Sequence, residues 1–256
     1  MSHLRFTISA MRFAEQLRDM HANPPLVLPN VWDAASARSF AKAGVHALAT
    51  SSSAVAHTLG YSDGENMPID EAFAAVARIT RAVDVPVTAD IEAGYGLAPD
   101  ELAARLVDAG AAGCNLEDTD HFTGELVPLS DQVERLTELV EAAKGNLVVN
   151  ARIDVHLRSA GAPEQRIDLS LERAVAYLDA GADCTYPIGA PDEDTIAALV
   201  KGTPGPVNAL CRPGGPTLAR LVELGAARIT FGGSLHRAVM GTVDDLATRL
   251  VSGGEP

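Results

Sequence analysis

Asp90 and Glu92 stand two residues apart in Thr88-Ala89-Asp90-Ile91-Glu92-Ala93-Gly94-Tyr95-Gly96. The apolar run Val83-Asp84-Val85-Pro86-Val87 precedes them and reads as a buried parallel strand. On a strand, that spacing sends both carboxylates to one face. Ionised carboxylates at a buried strand end are costly unless something positive pairs with them, and a divalent metal is the simplest partner for two. Gly94 and Gly96 then mark a sharp turn or a place where something approaches the backbone. The chemistry this suggests is a divalent-metal site, if the rest of the chain supplies the other ligands. The alternative for any one acid is a solvated loop residue unrelated to the others.

The elements that must position these acids recur with a regular rhythm. A helix is expected from about Ile8 to Met20, outside the main body. Strands then read at Leu26 to Asn30, Val45 to Thr50, the opening stretch that carries Asp90 and Glu92, Gly113 to Glu117, Asn146 to Arg152, Asp183 to Pro187, Pro206 to Ala209 and Arg228 to Phe231. Helices read between them at Asp33 to Ala43, Pro68 to Ala82, Pro99 to Ala109, Leu129 to Ala143, Asp168 to Ala180, Asp192 to Lys201, Thr217 to Leu224 and Leu235 to Val251. Ala43-Gly44, Ala109-Gly110 and Ala180-Gly181 are helix stops followed by a strand. Ser51 to Asn66 reads as a polar loop. Eight strand–helix units in about 230 residues match a (β/α)8 TIM barrel, an α/β fold of roughly 250 residues. The barrel proper would run from about residue 26 to 251 within a single domain spanning residues 1–256. A doubly wound open sheet would want Gly-x-Gly-x-x-Gly after its first strand, where this chain has Pro29-Asn30-Val31-Trp32-Asp33.

Composition narrows the classes further. The 256 residues are 47% hydrophobic, enough for one sizeable core. No run approaches the length of a membrane span, and no signal peptide is visible after Met1-Ser2-His3-Leu4-Arg5. Cys114, Cys184 and Cys211 form no disulfide ladder and no Cys-x-x-Cys pair, which suits a cytoplasmic location. A net charge of −14 argues against nucleic acid or an anionic membrane as partner.

Barrel enzymes collect their chemistry at the C-terminal ends of the strands. Those positions here are Trp32 and Asp33; Ser51, Ser52 and Ser53, with His57 and Asp63 in the following loop; Asp90 and Glu92; Glu117 and Asp118; Asn150, Arg152 and Asp154; Tyr186; and Asn208, with Cys211 and Arg212 just beyond. Asp63, Asp90, Glu92 and Glu117 converge from adjacent strands, with Arg152 opposite. All-oxygen ligation of this kind, completed by water, is how proteins hold Mg²⁺ or Mn²⁺.

In order along the chain, Asp33-Ala34-Ala35-Ser36-Ala37-Arg38, the Ser51 to Asp63 loop, Asp90-Ile91-Glu92-Ala93-Gly94-Tyr95-Gly96, Leu116-Glu117-Asp118 and Asn150-Ala151-Arg152-Ile153-Asp154 form a combined signal that no single piece would give. From about Leu26 to Ala238 the chain resembles the isocitrate lyase/phosphoenolpyruvate mutase superfamily. Its members bind 2-oxo acids or their enolates on Mg²⁺ and make or break a C–C or P–C bond. The resemblance implies that Asp90 touches the metal most directly, while Asp63, Glu92 and Glu117 hold its waters. It implies that Ser51, Ser52 and Ser53 clasp the substrate carboxylate and oxo oxygen, that Arg152 pairs with an anionic substrate group, and that Trp32 and Asn208 line the pocket. It also implies a homo-oligomer, dimer or tetramer, in which the last helix is exchanged between subunits.

The chain departs from that pattern after Glu117. The lyase branch carries a Lys-Lys/Arg-Cys-Gly-His segment whose cysteine is a general acid, and the mutase branch has a longer gating loop with a lysine and an asparagine. Here the segment is Asp118-Thr119-Asp120-His121-Phe122-Thr123-Gly124-Glu125-Leu126-Val127-Pro128. His121 is either a substitute acid–base group beside Glu117 and Arg152 or an ordinary exposed loop histidine. The expectation is a metal-dependent lyase acting on a small 2-oxo acid. A phosphonopyruvate mutase or hydrolase and a non-catalytic 2-oxo-acid-binding barrel are the alternatives.

Overall fold

The computed structural model describes residues 2–255, with side chains from residue 12 onward. Helix α1 (Ser2–His21) leads into β1 (Leu26–Leu28) and β2 (Asn30–Val31). Then follow α2 (Ala34–Lys42), β3 (Leu48–Thr50), α3 (Ser52–Leu59), α4 (Ile69–Thr80), β4 (Val87–Asp90), α5 (Pro99–Asp108), β5 (Gly113–Glu117), α6 (Leu129–Ala143) and β6 (Val148–Ile153). The second half adds α7 (Arg166–Asp179), β7 (Cys184–Pro187), α8 (Glu193–Gly202), β8 (Asn208–Leu210), α9 (Leu218–Glu223), β9 (Arg228–Thr230) and α10 (Ser234–Val251).

The strands form two parallel sheets, β2-β3-β4-β5-β6-β7 and β1-β9-β8. The expected first strand, Leu26 to Asn30, is divided by Pro29, which has no N–H to give to a ladder. Its lower half pairs with β9 and its upper half with β3, while the Pro29 carbonyl accepts from Ala49 N at 3.0 Å. A second link joins the sheets where Thr185 bridges Val207 and donates its N–H to Pro206 O at 3.0 Å. This is an α/β parallel arrangement of the TIM-barrel-like kind. No helix among the described residues is long and apolar enough to cross a membrane.

Most core mass lies between the strands and their helices. Leu102, Leu106, Leu116, Leu136, Leu139, Val149, Ile153 and Tyr177 are buried together in one cluster. Leu17 of α1, with Phe13 and Met20 beside it, packs on Leu26, Ala47, Ala112 and Val148 near the strand starts. Arg18 ties this helix down by donating to Asp183 Oδ1 at 2.8 Å and Leu147 O at 2.9 Å. The opposite strand ends are left open for polar groups.

One expected element needs correction. Ser51 to Asn66 is not all loop, because Ser52–Leu59 forms α3. Ser51 is its N-cap, accepting from Ala54 N, and Gly60 closes it in the left-handed conformation. The serines masked the helix because they favour caps and turns as readily as helices.

Gly113 opens β5 where a Cβ would sit 2.4 Å from the Val148 carbonyl oxygen of the paired strand. Gly113→Ala is therefore expected to cost about 2 kcal/mol or more through forced strand displacement. Gly241→Ala, inside α10 with open space around it, should be neutral or stabilising by about 0.5–1 kcal/mol. Urea unfolding of both variants checks this pair, and equal stability of the two would contradict it.

Candidate active site

β4 ends at Asp90, whose backbone N–H donates to Thr50 Oγ1 at 2.8 Å. Its carboxylate is held from two sides. Oδ2 accepts from Ser52 N at 2.9 Å and Ser52 Oγ at 3.0 Å, at the positive N-terminal end of α3. Oδ1 accepts from Asn115 Nδ2 at 3.2 Å. Asn115 Oδ1 in turn accepts from Asn150 Nδ2 at 2.7 Å and from Arg228 Nη2 at 3.2 Å. Two donors on the oxygen of that amide fix its nitrogen toward Asp90. Arg228 is fully buried, and its Nε and Nη1 have no partner among the described residues.

Glu92 lies beyond the strand rather than on it, at φ 54°, so the two acids do not share a strand face. The left-handed turn carries the carboxylate to another loop instead. Glu92 Oε2 accepts from Gly64 N and Glu65 N, both at 2.6 Å, and Oε1 accepts from Tyr95 OH at 2.8 Å. The donating pair has φ of 95° and 58°, which turns successive N–H groups into one concavity. Burial, opposed by these donors, still raises the Glu92 carboxyl to about 7.

Glu117 ends β5 and touches both His121 Nε2 and Arg152 Nη1. Arg152 is forked onto Asp154, from Nε to Oδ1 at 2.7 Å and from Nη2 to Oδ2 at 3.1 Å, so each of its nitrogens faces a carboxylate. Asp118 anchors this layer from beneath. It accepts from Asp154 N at 2.8 Å, Tyr177 OH at 2.8 Å and Arg173 Nη1 at 3.0 Å. The Glu117 and Asp118 carboxyls are both pushed up, chiefly by burial. Asp63 is pushed up by burial and then by the charge of Asp90. His121 is pushed up by its bond to Glu117.

The structure thus brings Asp63, Asp90, Glu92, Glu117, His121 and Arg152 to one end of the strands. Ser51, Ser52 and Ser53 stand at the start of α3, with Ser51 Oγ and Ser53 Oγ 3.1 Å apart. The Trp32 ring is edge-on to His236 at 5.0 Å, and His57 is edge-on to the same ring at 5.1 Å. Asn208 is fully buried among the strands, where its Oδ1 accepts from Thr230 Oγ1 at 3.2 Å and its Nδ2 has no partner among the described residues. Cys114 and Cys184 are buried thiols, and Cys211 is half-buried. His121 is not a solvated loop residue: its side chain is only 14% exposed.

Sequence reasoning missed Asn115 and Arg228, and it missed Arg173 and Tyr177 as the partners of Asp118. Asn115 was legible as the residue two before Glu117, on the same strand face. Arg228 carried a weaker signal, a charge opening an otherwise apolar strand. Nothing local in the sequence marks Arg173 and Tyr177.

The residues fit a divalent cation. Asp63, Asp90, Glu92 and Glu117 gather near one guanidinium, Arg152, which also serves Asp154, and burial raises the carboxyls of Asp63, Glu92 and Glu117. Glu92, Glu117 and His121 each offer a ligand atom, all within 4.8 Å of one another. Two clefts adjoin this region. One of about 520 Å³ is lined by Ser53, His57 and His236, and another of about 630 Å³ by Glu65, Thr119, His121 and Arg135.

A parallel α/β protein with a carboxylate-rich site at its strand ends is the class so defined. Residues 17–251 match the model of the phosphoenolpyruvate phosphomutase family, and the chain belongs to the phosphoenolpyruvate mutase/isocitrate lyase superfamily. An uncharacterized protein of Mycobacterium tuberculosis strain H37Rv is 34% identical over 92% of this chain and 88% of its own length. A solved structure from Burkholderia cenocepacia J2315, provisionally described as a phosphonomutase, shares 41% identity with a TM-score of 0.85, covering 92% of this chain and 99% of that one. A provisionally named 2-methylisocitrate lyase of Corynebacterium glutamicum is 34% identical over 62% of this chain and 53% of its own length.

Glu92 yields a prediction about pH. Its folded value near 7 lies above its ordinary 4.5, so the folded chain holds this proton more tightly than the unfolded chain. That contribution is fully present below about pH 4.5 and is lost as pH rises to about 7, a change of about 3 kcal/mol. Asp63, Glu117 and Asp118 shift the same way and add to the slope. In chelator, denaturant unfolding should show stability falling across this window, and Glu92→Gln should reduce the fall. A stability that rises with pH there would contradict it.

Proposed function

We propose that this chain is a divalent-metal-dependent lyase that makes or breaks a C–C bond beside the enolate carbon of a small 2-oxo acid, pyruvate- or oxaloacetate-like. The observation that carries this reading is the set Asp63, Asp90, Glu92 and Glu117 held in order against Arg152. Asp90, Glu92, Glu117 and Asp63 would hold Mg²⁺ or Mn²⁺. The ion, when bound, would supply the Lewis acidity that lets a 2-oxo oxygen accept negative charge.

The chain's own groups do the rest. Ser52 and Asn115 fix the Asp90 carboxylate through three hydrogen bonds, so no reorganisation accompanies the reaction. The start of α3 would present N–H and hydroxyl groups of Ser51 and Ser53 to a substrate carboxylate, with Ser52 already bonded to Asp90. Arg152 pairs with Glu117 and Asp154, and its charge would favour a second anionic group of the substrate. Trp32 and Asn208 would line the pocket. The short segment after Glu117 brings no cysteine, which sets this chain apart from the lyase branch with its cysteine acid.

A second reading, P–C chemistry on phosphonopyruvate, is favoured by the 41% identity to the Burkholderia protein. The single-domain barrel also belongs to the proposal, with the two sheets joined at Pro29 and at Thr185–Val207 into one eight-stranded cylinder. So does a homo-oligomer. Val239, Val243 and Leu250 lie exposed along one stripe of α10, an apolar face that exchange of this helix with a second copy would cover. The free cysteines fit a cytoplasmic setting.

The test is turnover of a panel containing oxaloacetate, substituted malates and isocitrates, and phosphonopyruvate. Metal-dependent release of pyruvate or another 2-oxo acid is expected from a C–C substrate. Chelation should abolish it, and Asp90→Asn should reduce it by about 10³-fold or more. Phosphate release from phosphonopyruvate alone would establish the second reading instead. Binding across the panel without any turnover would overturn both.

A further inference from the structure

The segment after Glu117 is a built hairpin. Thr119 and Leu126 form an antiparallel bridge. Asp120 N donates to Glu125 O at 2.9 Å, Gly124 N to Asp120 O at 2.7 Å and Val127 N to Asp118 O at 2.8 Å. Asp120 Oδ1 accepts from Phe122 N at 2.8 Å and from Thr123 N at 3.3 Å. At the base, Thr119 Oγ1 donates to Asp154 Oδ2 at 2.5 Å. These bonds set His121 in a defined place, four residues past Glu117.

Its ring is wedged between two parts of the site. Nε2 touches Glu117 Oε1. Nδ1 faces the Gly64 turn, so closely that a Cβ on Gly64 would lie 3.6 Å from it. The same turn supplies the two N–H groups that hold Glu92. Glu92, Glu117 and His121 are therefore positioned by one interlocked set of loops, with their ligand atoms within 4.8 Å of one another. Glu117 is steadied from its other oxygen by Arg152. Two carboxylates and an imidazole converging from three chain segments are a mixed oxygen–nitrogen donor set.

We propose that His121 Nε2 is a direct ligand of the divalent ion, which makes the site a carboxylate–imidazole centre selective for Mn²⁺, Co²⁺ or Zn²⁺ over Mg²⁺. This rests on the metal-dependent reading above. Mg²⁺ favours oxygen ligands in a strict octahedron and keeps its waters, whereas imidazole nitrogen suits later divalent metals. The role differs from that of an acid–base group because Nε2 is committed to the ion and carries no proton to the substrate.

The experiment uses the full chain labelled with ¹⁵N only at histidine, loaded with Mn²⁺ and examined by pulsed electron paramagnetic resonance. A nitrogen coupling that changes with the histidine label and disappears in His121→Gln is expected. Calorimetry should show His121→Gln weakening Co²⁺ binding about 10–100-fold, the scale seen when a metal's supporting groups are lost, with Mg²⁺ changed by less than about threefold. Labelled wild-type protein gives the answer even if the variant folds poorly, and thermal unfolding followed by circular dichroism reports on that folding. Bound Mn²⁺ without a histidine coupling would overturn the nitrogen ligand and leave the metal-dependent enzyme standing. Failure of Mn²⁺ to bind at millimolar concentration would overturn both.

Discussion

Buried negative charge is the constraint around which this molecule is arranged. Glu92 and Glu117 are 3% and 2% exposed, the charge of Asp90 adds to burial in raising the Asp63 carboxyl, and the charges of Asp63 and Asp90 add to burial in raising that of Glu92. Each ionised carboxylate there loses solvation that only a positive charge or several donors can replace. Arg152 serves Glu117 and Asp154 together, and the donors of Ser52, Asn115, Gly64, Glu65 and Tyr95 serve the rest. The raised carboxyls record how far those partners fall short. A site in that condition is ready for a divalent cation before any substrate arrives.

The scaffold's contribution is to stop the acids from relaxing away from one another. Asp90 is fixed through Asn115 by a buried arginine on β9, the far end of the chain. Glu92 is fixed by a turn that precedes it by almost thirty residues. Asp118 draws α7 against the base of the site through Arg173 and Tyr177. Parallel strands with short connections make this possible, because every strand delivers its last residue to the same end of the sheet. α1, at the other end, packs on the strand starts and contributes stability rather than chemistry.

How much of this the sequence disclosed depends on the range of the interaction. The alternation of strand and helix, the Ala-Gly stops and the clustering of acids at strand ends are local patterns, and each survives in the structure. The same-face argument for Asp90 and Glu92 failed because Glu92 leaves the strand in a left-handed turn, which a two-residue spacing does not reveal. Ser51 to Leu59 was hidden because serine is as much a cap and turn residue as a helical one. Arg228, Arg173 and Tyr177 act across 113, 55 and 59 residues of sequence, on Asn115 for the first and Asp118 for the other two, so only the folded chain shows their partners. Membership in the phosphoenolpyruvate mutase/isocitrate lyase superfamily was legible, because its motifs occur in order and the family model matches residues 17–251.

The central claim is that the carboxylate cluster becomes a site for a 2-oxo acid or its enolate only when a divalent cation neutralises it. Isothermal titration of the full chain with oxalate, which mimics the planar enolate, tests this most directly. The account predicts that oxalate binds in the presence of Mg²⁺ or Mn²⁺ and that binding is lost in chelator and in Asp90→Asn. Oxalate binding of equal strength with and without the metal would contradict it.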